Sequence, residues 1–226
     1  MRIIYLIDFN CPYSYIGLLR IKRACESLNL DVEWEMRSFE LEPEAEKIPT
    51  ISTAERYSRK YKLSLKDATS KILEIEKIAL DDGLKINFKD MKLTSSKDAH
   101  RLAKFVQNRY PDIALEFVEM IFYSNFSKNE NIADANVLTK IANSFNLNES
   151  DVRKILENDN YNIEIYLDME EALANGITST PCFILNKKEE RLIIPGVFST
   201  EEFEIALKDF VEGNIRSKTY GIGSLY

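Results

Sequence analysis

One histidine and three cysteines in 226 residues leave almost nothing from which to build a metal site. There is no Cys-x-x-Cys pair and no second histidine to close a zinc cage, so no metal is expected. Positive charge is short as well. Thirty Lys and Arg face 37 Asp and Glu, a net charge of −7 with the histidine neutral. A nucleic-acid binder shows the opposite excess, so no nucleic-acid partner is expected. Seven glycines and six prolines are too few for a disordered or linker-rich chain. No apolar run approaches the ~18 residues that span a bilayer. The first run, residues 3–7, meets Asp8 before a secretory signal is complete. The reading is a cytoplasmic chain without a membrane partner, in a compartment that keeps thiols reduced. Cys11, Cys25 and Cys182 are then not structural disulfides. No GxGxxG or Walker pattern is present, and no tightly bound cofactor is expected.

What the sequence does contain is ordered. Residues 3–7 are uninterrupted apolar, as in a central strand buried on both faces. A helix follows, with Leu18, Ile21, Cys25 and Leu28 on one face. Residues 32–38 alternate, Val32, Trp34 and Met36 against charged neighbours, which marks a half-buried edge strand parallel to the first. From about 53 to 172 the period is helical: Leu65, Ala68, Ile72, Ile75 and Ala79 form one stripe, and Ala99, Leu102, Ala103 and Val106 another. Strands return at 181–185 and 191–194, with 186–190 as their loop. Ser199-x-x-Glu202 is a capping box opening a helix with Phe203, Ala206, Leu207 and Phe210 inward. The order is strand–helix–strand, helices, strand–strand–helix. The expected fold is α/β: a thioredoxin-like domain with a four-stranded mixed sheet (1–52 and 173–213), a large all-helical insertion (53–172) and a tail (214–226).

Chemistry is expected at Cys11, where a buried strand gives way to a helix. Pro12 suits the first helical position. A sulfur there faces free backbone N–H groups and the positive end of the helix dipole, both of which favour thiolate. Ser14 lies one turn on, placed to donate a hydrogen bond to the sulfur, and Tyr13 is read at the rim. Cys25 falls on the apolar stripe. Cys182 is read as core, with resolving partner of Cys11 as its other role. His100 is open between general base and structural residue, with structure favoured.

The stretch Asp8-x-x-Cys11-Pro12-Tyr13-Ser14-Tyr15-Ile16-Gly17 resembles the active-site segment of the DsbA-like family, most closely its cytosolic FrnE-like branch. That branch usually reads Cys-Pro-Trp-Cys or Cys-Pro-Phe-Cys before Tyr-Ile-Gly. The resemblance continues through Asp98-Ala99-His100-Arg101-Leu102, Asn131-Ile132-Ala133-Asp134, Gly176-Ile177-Thr178-Ser179-Thr180-Pro181 and Pro195-Gly196-Val197-Phe198. It implies a cis-proline at Thr180-Pro181 beside the sulfur, with the Thr180 backbone binding substrate. The second cysteine of the family is Ser14 here, so no dithiol can close. Kappa-class glutathione transferases and 2-hydroxychromene-2-carboxylate isomerases carry Ser-Pro-Tyr-Ser at this place. They also carry Gly-Ser-Asp before the last helix, where this chain has Gly196-Val197-Phe198.

Three functions remain in view. The leading one is a thiol–disulfide oxidoreductase in which Cys11 forms a mixed disulfide, resolved by glutathione or another low-molecular-weight thiol. Its substrate would be a disulfide-containing protein or a small thiol compound. The second is a glutathione-dependent transferase or isomerase. The third is a non-catalytic thioredoxin-like adaptor. A homodimer is open, since aromatic-rich helices pack equally well within one chain or between two.

Overall fold

The computed structural model describes residues 1–214. Strand β1 (Arg2–Ile7) is buried at every position after Arg2, as an all-apolar central strand must be. Helix α1 (Pro12–Ser27) carries the chain back to β2 (Glu33–Ser38), which pairs with β1 in parallel. Strand β3 (Cys182–Lys187) lies antiparallel to β1, and β4 (Glu190–Pro195) antiparallel to β3. The sheet order is β2-β1-β3-β4. The two continuous apolar runs are therefore central, and the alternating strand is an edge, as its pattern requires. The hairpin between β3 and β4 is tighter than the five-residue loop expected. Lys187 still pairs with Glu190, so only Lys188 and Glu189 turn, with Lys188 at φ 56°.

Alternation divides the sheet into two faces. On one, Phe183 meets Phe203 of the last helix, α9 (Thr200–Glu212), edge to face at 5.3 Å. Phe203 in turn meets Phe198 at 5.7 Å. Phe183 and Phe203 are wholly buried, worth about 1.5–3 kcal/mol each. Helix α1 covers the same face, with Gly17 against Pro181 and Phe183. The Ser199 capping box is present: its hydroxyl accepts from Glu202 N–H at 3.1 Å, and the Glu202 carboxylate accepts from Ser199 N–H at 2.8 Å. Such a cap contributes about 1 kcal/mol. On the other face Ile4, Leu6, Cys182 and Ile184 pack with Phe39, Ala172 and Ile177.

The chain forms two compact units, one of Met1–Leu41 with Ile165 onward, the other Glu42–Glu164. The expected seams at 52/53 and 172/173 differ from these, for physical reasons. Leu41 N–H donates to the Asp8 carboxylate at 2.8 Å, and Leu41 packs on the sheet cluster. The helix Asn162–Ala174 is fastened to β2 from residue 165 on. Asp168 accepts from Ser38 N–H at 2.8 Å and pairs with Arg37 at 3.0 Å. Its buried positions are Ile165, Asp168 and Ala172, while Ile163, Tyr166, Leu167 and Leu173 are exposed. A stripe with a carboxylate at its centre gives no apolar period to read. The expected tail, 214–226, lies outside the described residues apart from Asn214.

The second unit is helical, from Thr53–Tyr61 and Leu65–Asp81 through Lys97–Arg109, Ala114–Phe126 and Ala135–Ser144 to Glu149–Glu157. Ala68, Ile72, Ile75 and Ala79 are its first buried stripe, although Leu65 is exposed. Arg101 is buried, where it accounts for carbonyls at the end of Glu149–Glu157. It donates to Asn160 O at 2.8 Å and to Ile155 O and Asn158 O, and pairs with Asp98 at 2.8 Å. Among the described residues no helix is long and apolar enough to cross a membrane.

Candidate active site

The turn after β1 is built by Asp8. Its carbonyl accepts from Cys11 N–H at 2.9 Å, and one carboxylate oxygen accepts from Asn10 N–H at 3.0 Å. The other oxygen takes Leu41 N–H, so a single side chain, 1% exposed, ties two crossings of the chain together. Cys11 is thereby delivered as the N-cap of α1 in extended conformation (φ −97°, ψ 111°), with Pro12 first in the helix. The sulfur does not cap the helix in the ordinary way.

The Cys11 thiol instead donates to the carbonyl of Thr180 at 3.4 Å. The Thr180-Pro181 bond is cis, as the resemblance implied. Ser14 is wholly buried. Its oxygen accepts from Asp8 N–H at 3.4 Å, which leaves the hydroxyl proton for the sulfur. Pro12 and Pro181 are buried and Tyr13 is half-buried. The structure thus gathers Cys11, Pro12, Ser14, Thr180 and Pro181 at the end of β1.

Two further segments hold this group in place, and sequence reasoning had them only as parts of motifs. Gly196 N–H donates to Pro181 O at 2.8 Å from a backbone at φ 84°, which favours glycine. Arg20 on α1 donates to Phe198 O at 3.1 Å. Asp8 is the larger omission, read as a strand terminator although it braces the turn that carries the sulfur. A carboxylate ending a wholly apolar central strand was the available signal, because a charge placed there must find partners.

The electrostatics correct one expectation. The helix start was to favour thiolate, yet burial pushes the Cys11 thiol above its ordinary value. The Thr180 side chain, and then Ser14 through its hydroxyl and its N–H, draw it down, and the negative charge of Asp8 adds the smallest of these effects, upward. With only 6% of Cys11 exposed, loss of water is the largest influence on the thiol.

The other expected site residues are His100, Cys25 and Cys182. His100 is wholly buried in Lys97–Arg109 of the second unit, whereas the residues gathered at Cys11 come from the first. Cys25 is buried on α1, and Cys182 lies in the apolar layer on the sheet face opposite Phe183. All three cysteines are free. Burial is the main cause that pushes Cys25 and Cys182 each up to about 12. Both hold their protons more tightly folded than unfolded, so their contribution to stability is whole below about pH 9 and is lost towards pH 12. In urea titrations at pH 8 and 11, replacing Cys182 by alanine should therefore shrink the alkaline loss of stability relative to wild type. Equal losses in the two proteins would refute this.

Comparison with known proteins agrees with the fold. The uncharacterized protein YwbO of Bacillus subtilis (strain 168) is 25% identical over 203 residues, 89% of this chain and 93% of that one. The crystal structure of a probable DsbA oxidoreductase, SCO1869 from Streptomyces coelicolor, is 26% identical with a TM-score of 0.84, covering 97% of this chain and 92% of that one. The cytosolic disulfide reductase DsbM from Pseudomonas aeruginosa, also solved with GSH, shares the fold at 15% identity and a TM-score of 0.59, covering 96% of this chain and 100% of that one. The model of the DSBA-like thioredoxin domain matches residues 2–208. With its mixed sheet, cis-proline and helix-start cysteine inside that span, the chain belongs to the DsbA-like thioredoxin-fold oxidoreductase family.

Proposed function

We propose that this chain is a thiol–disulfide oxidoreductase that works through Cys11 alone. The observation that carries the reading is the Cys11 thiol set 3.4 Å from the carbonyl before the cis-proline, with Ser14 where a second sulfur would stand. Deprotonated Cys11 attacks one sulfur of a substrate disulfide. A Cys11–substrate disulfide forms, the substrate's own S–S bond breaks, and the other substrate sulfur leaves as thiolate and takes up a proton. Once the thiol proton is gone, the Thr180 carbonyl is released and accepts an N–H from an extended substrate. Ser14 cannot resolve the intermediate. An external thiolate attacks the substrate sulfur, forms a new mixed disulfide with it and frees Cys11. Glutathione is the candidate thiol, in keeping with the DsbM relative solved with GSH. The substrate is a disulfide-bearing protein or small molecule, and the setting proposed is the cytoplasm.

The test is to trap the intermediate. Reduced protein mixed with glutathione disulfide at pH 8.5 and quenched in acid should carry one glutathione on Cys11, and added glutathione should remove it. Cys25 and Cys182 should stay unmodified. A folded protein that forms no adduct at Cys11 would refute the reading and favour the adaptor.

A further inference from the structure

Exposed apolar side chains are concentrated on two helices. Among the described residues twelve large ones are exposed, and seven of these lie on α3 (Leu65–Asp81) and α8 (Asn162–Ala174). Both helices already bury another stripe, so the surplus faces outward. On α3, Leu73 and Leu80 stand one heptad apart, with Leu65 ahead of them. On α8, Ile163, Tyr166, Leu167 and Leu173 share one side. The seven are 47–71% exposed, and rows of this kind mark an interaction surface.

The charges within the two rows are opposite in sign. Lys77 sits between Leu73 and Leu80 at helical spacing, and Lys66 lies two turns before Leu73 on the same side. Glu170 sits between Tyr166 and Leu173, and Glu164 beside Leu167, on a helix with four carboxylates and no cation. All four of these charged residues are exposed, and among the described residues none takes part in an ion pair. The other two carboxylates of α8, Asp168 and Glu171, are both spent on Arg37.

We propose that the chain pairs with a second copy of itself, α3 of one protomer packing on α8 of its partner. The apolar rows supply the buried surface, and Lys66 and Lys77 meet Glu164 and Glu170 beside them. Exposed ion pairs add little affinity each, but they select which faces meet and in which register. Like on like is disfavoured, because α8 against α8 sets Glu164 and Glu170 against their own copies with no cation on either helix. The contact joins unlike faces, so a two-fold dimer makes it twice and covers both rows of each protomer. An outside partner matched to one row would leave the other, of opposite charge, in water. The inference is independent of the reading of Cys11.

The test is sedimentation velocity of the full chain over a concentration series, with two charge-reversed forms. Wild type should sediment at twice the chain mass and move towards the single chain on dilution. Lys66→Glu with Lys77→Glu reverses α3, and Glu164→Lys with Glu170→Lys reverses α8. All four positions are exposed, so both forms should keep the wild-type circular dichroism. Each form alone sets like charges together at both contacts and should associate about tenfold more weakly. Mixed in equal amounts the two should pair again, because each contact of the mixed dimer regains opposite charges. Leu167→Ser changes no charge and should weaken the pairing by about tenfold through lost apolar burial. A wild type that stays a single chain at every concentration overturns the proposal and leaves the two rows to another partner. So does a dimer that both reversed forms retain, or reversed forms that stay single when mixed.

Discussion

Cys11→Ser loses thiol-dependent disulfide exchange by about a thousandfold or more, as removal of a nucleophile does, and keeps its fold. The substitution exchanges sulfur for oxygen at a buried helix N-cap and changes little else. Serine is a preferred N-cap, so stability should be unchanged or slightly higher. Its hydroxyl does not ionise near neutral pH and cannot form the mixed disulfide. The remaining thiols offer no substitute, because Cys25 and Cys182 are buried and held protonated to about pH 12. The measurement is the rate of glutathione-dependent reduction of a small disulfide at pH 8.5, with circular dichroism to confirm the fold. A variant that retains the wild-type rate would move the chemistry away from Cys11 and sink the proposed function.

The second large effect is expected at Gly17, where α1 crosses the cis-proline segment. A Cβ built there would lie 3.1 Å from Pro181 Cγ and 3.2 and 3.3 Å from the Phe183 ring. Phe183 is wholly buried and packed on Phe203, so it has no room to retreat. Gly17→Ala should cost about 1–3 kcal/mol by overpacking, even though alanine is the better helix former by roughly 1 kcal/mol. Gly17→Leu drives further atoms into the same place and should leave the domain unfolded. The alanine variant should also show a functional loss, since the neighbour that can yield is Pro181, and moving it carries the Thr180 carbonyl away from Cys11. Urea denaturation together with the exchange rate checks both. An alanine variant as stable as wild type would show that α1 is not packed as closely as the backbone implies.

Much of this was legible because burial and period report each other. The all-apolar 3–7 and 181–185 had to be central strands, and the alternating 32–38 had to be an edge. Cys11-Pro12 at a strand-to-helix junction pointed to the candidate site, and the Ser199 capping box fixed the last helix. The seams were missed because their evidence is polar and non-local. Asp168 reaching Ser38 spans 130 residues, and Leu41 donating to Asp8 spans 33. Neither leaves a trace in hydrophobic spacing.

Sequence by itself determined the thioredoxin-like order of elements, the lone cysteine at the helix start, and the serine that prevents a dithiol. Each follows from residue type and chain position. Tertiary structure decided that Cys11 touches Thr180, that Asp8 braces the turn, and that burial pushes the thiol up. Those outcomes depend on how much water is excluded around the sulfur and on which distant groups replace it. A one-dimensional pattern places a sulfur at a helix start, but only the packed chain sets the medium in which it titrates.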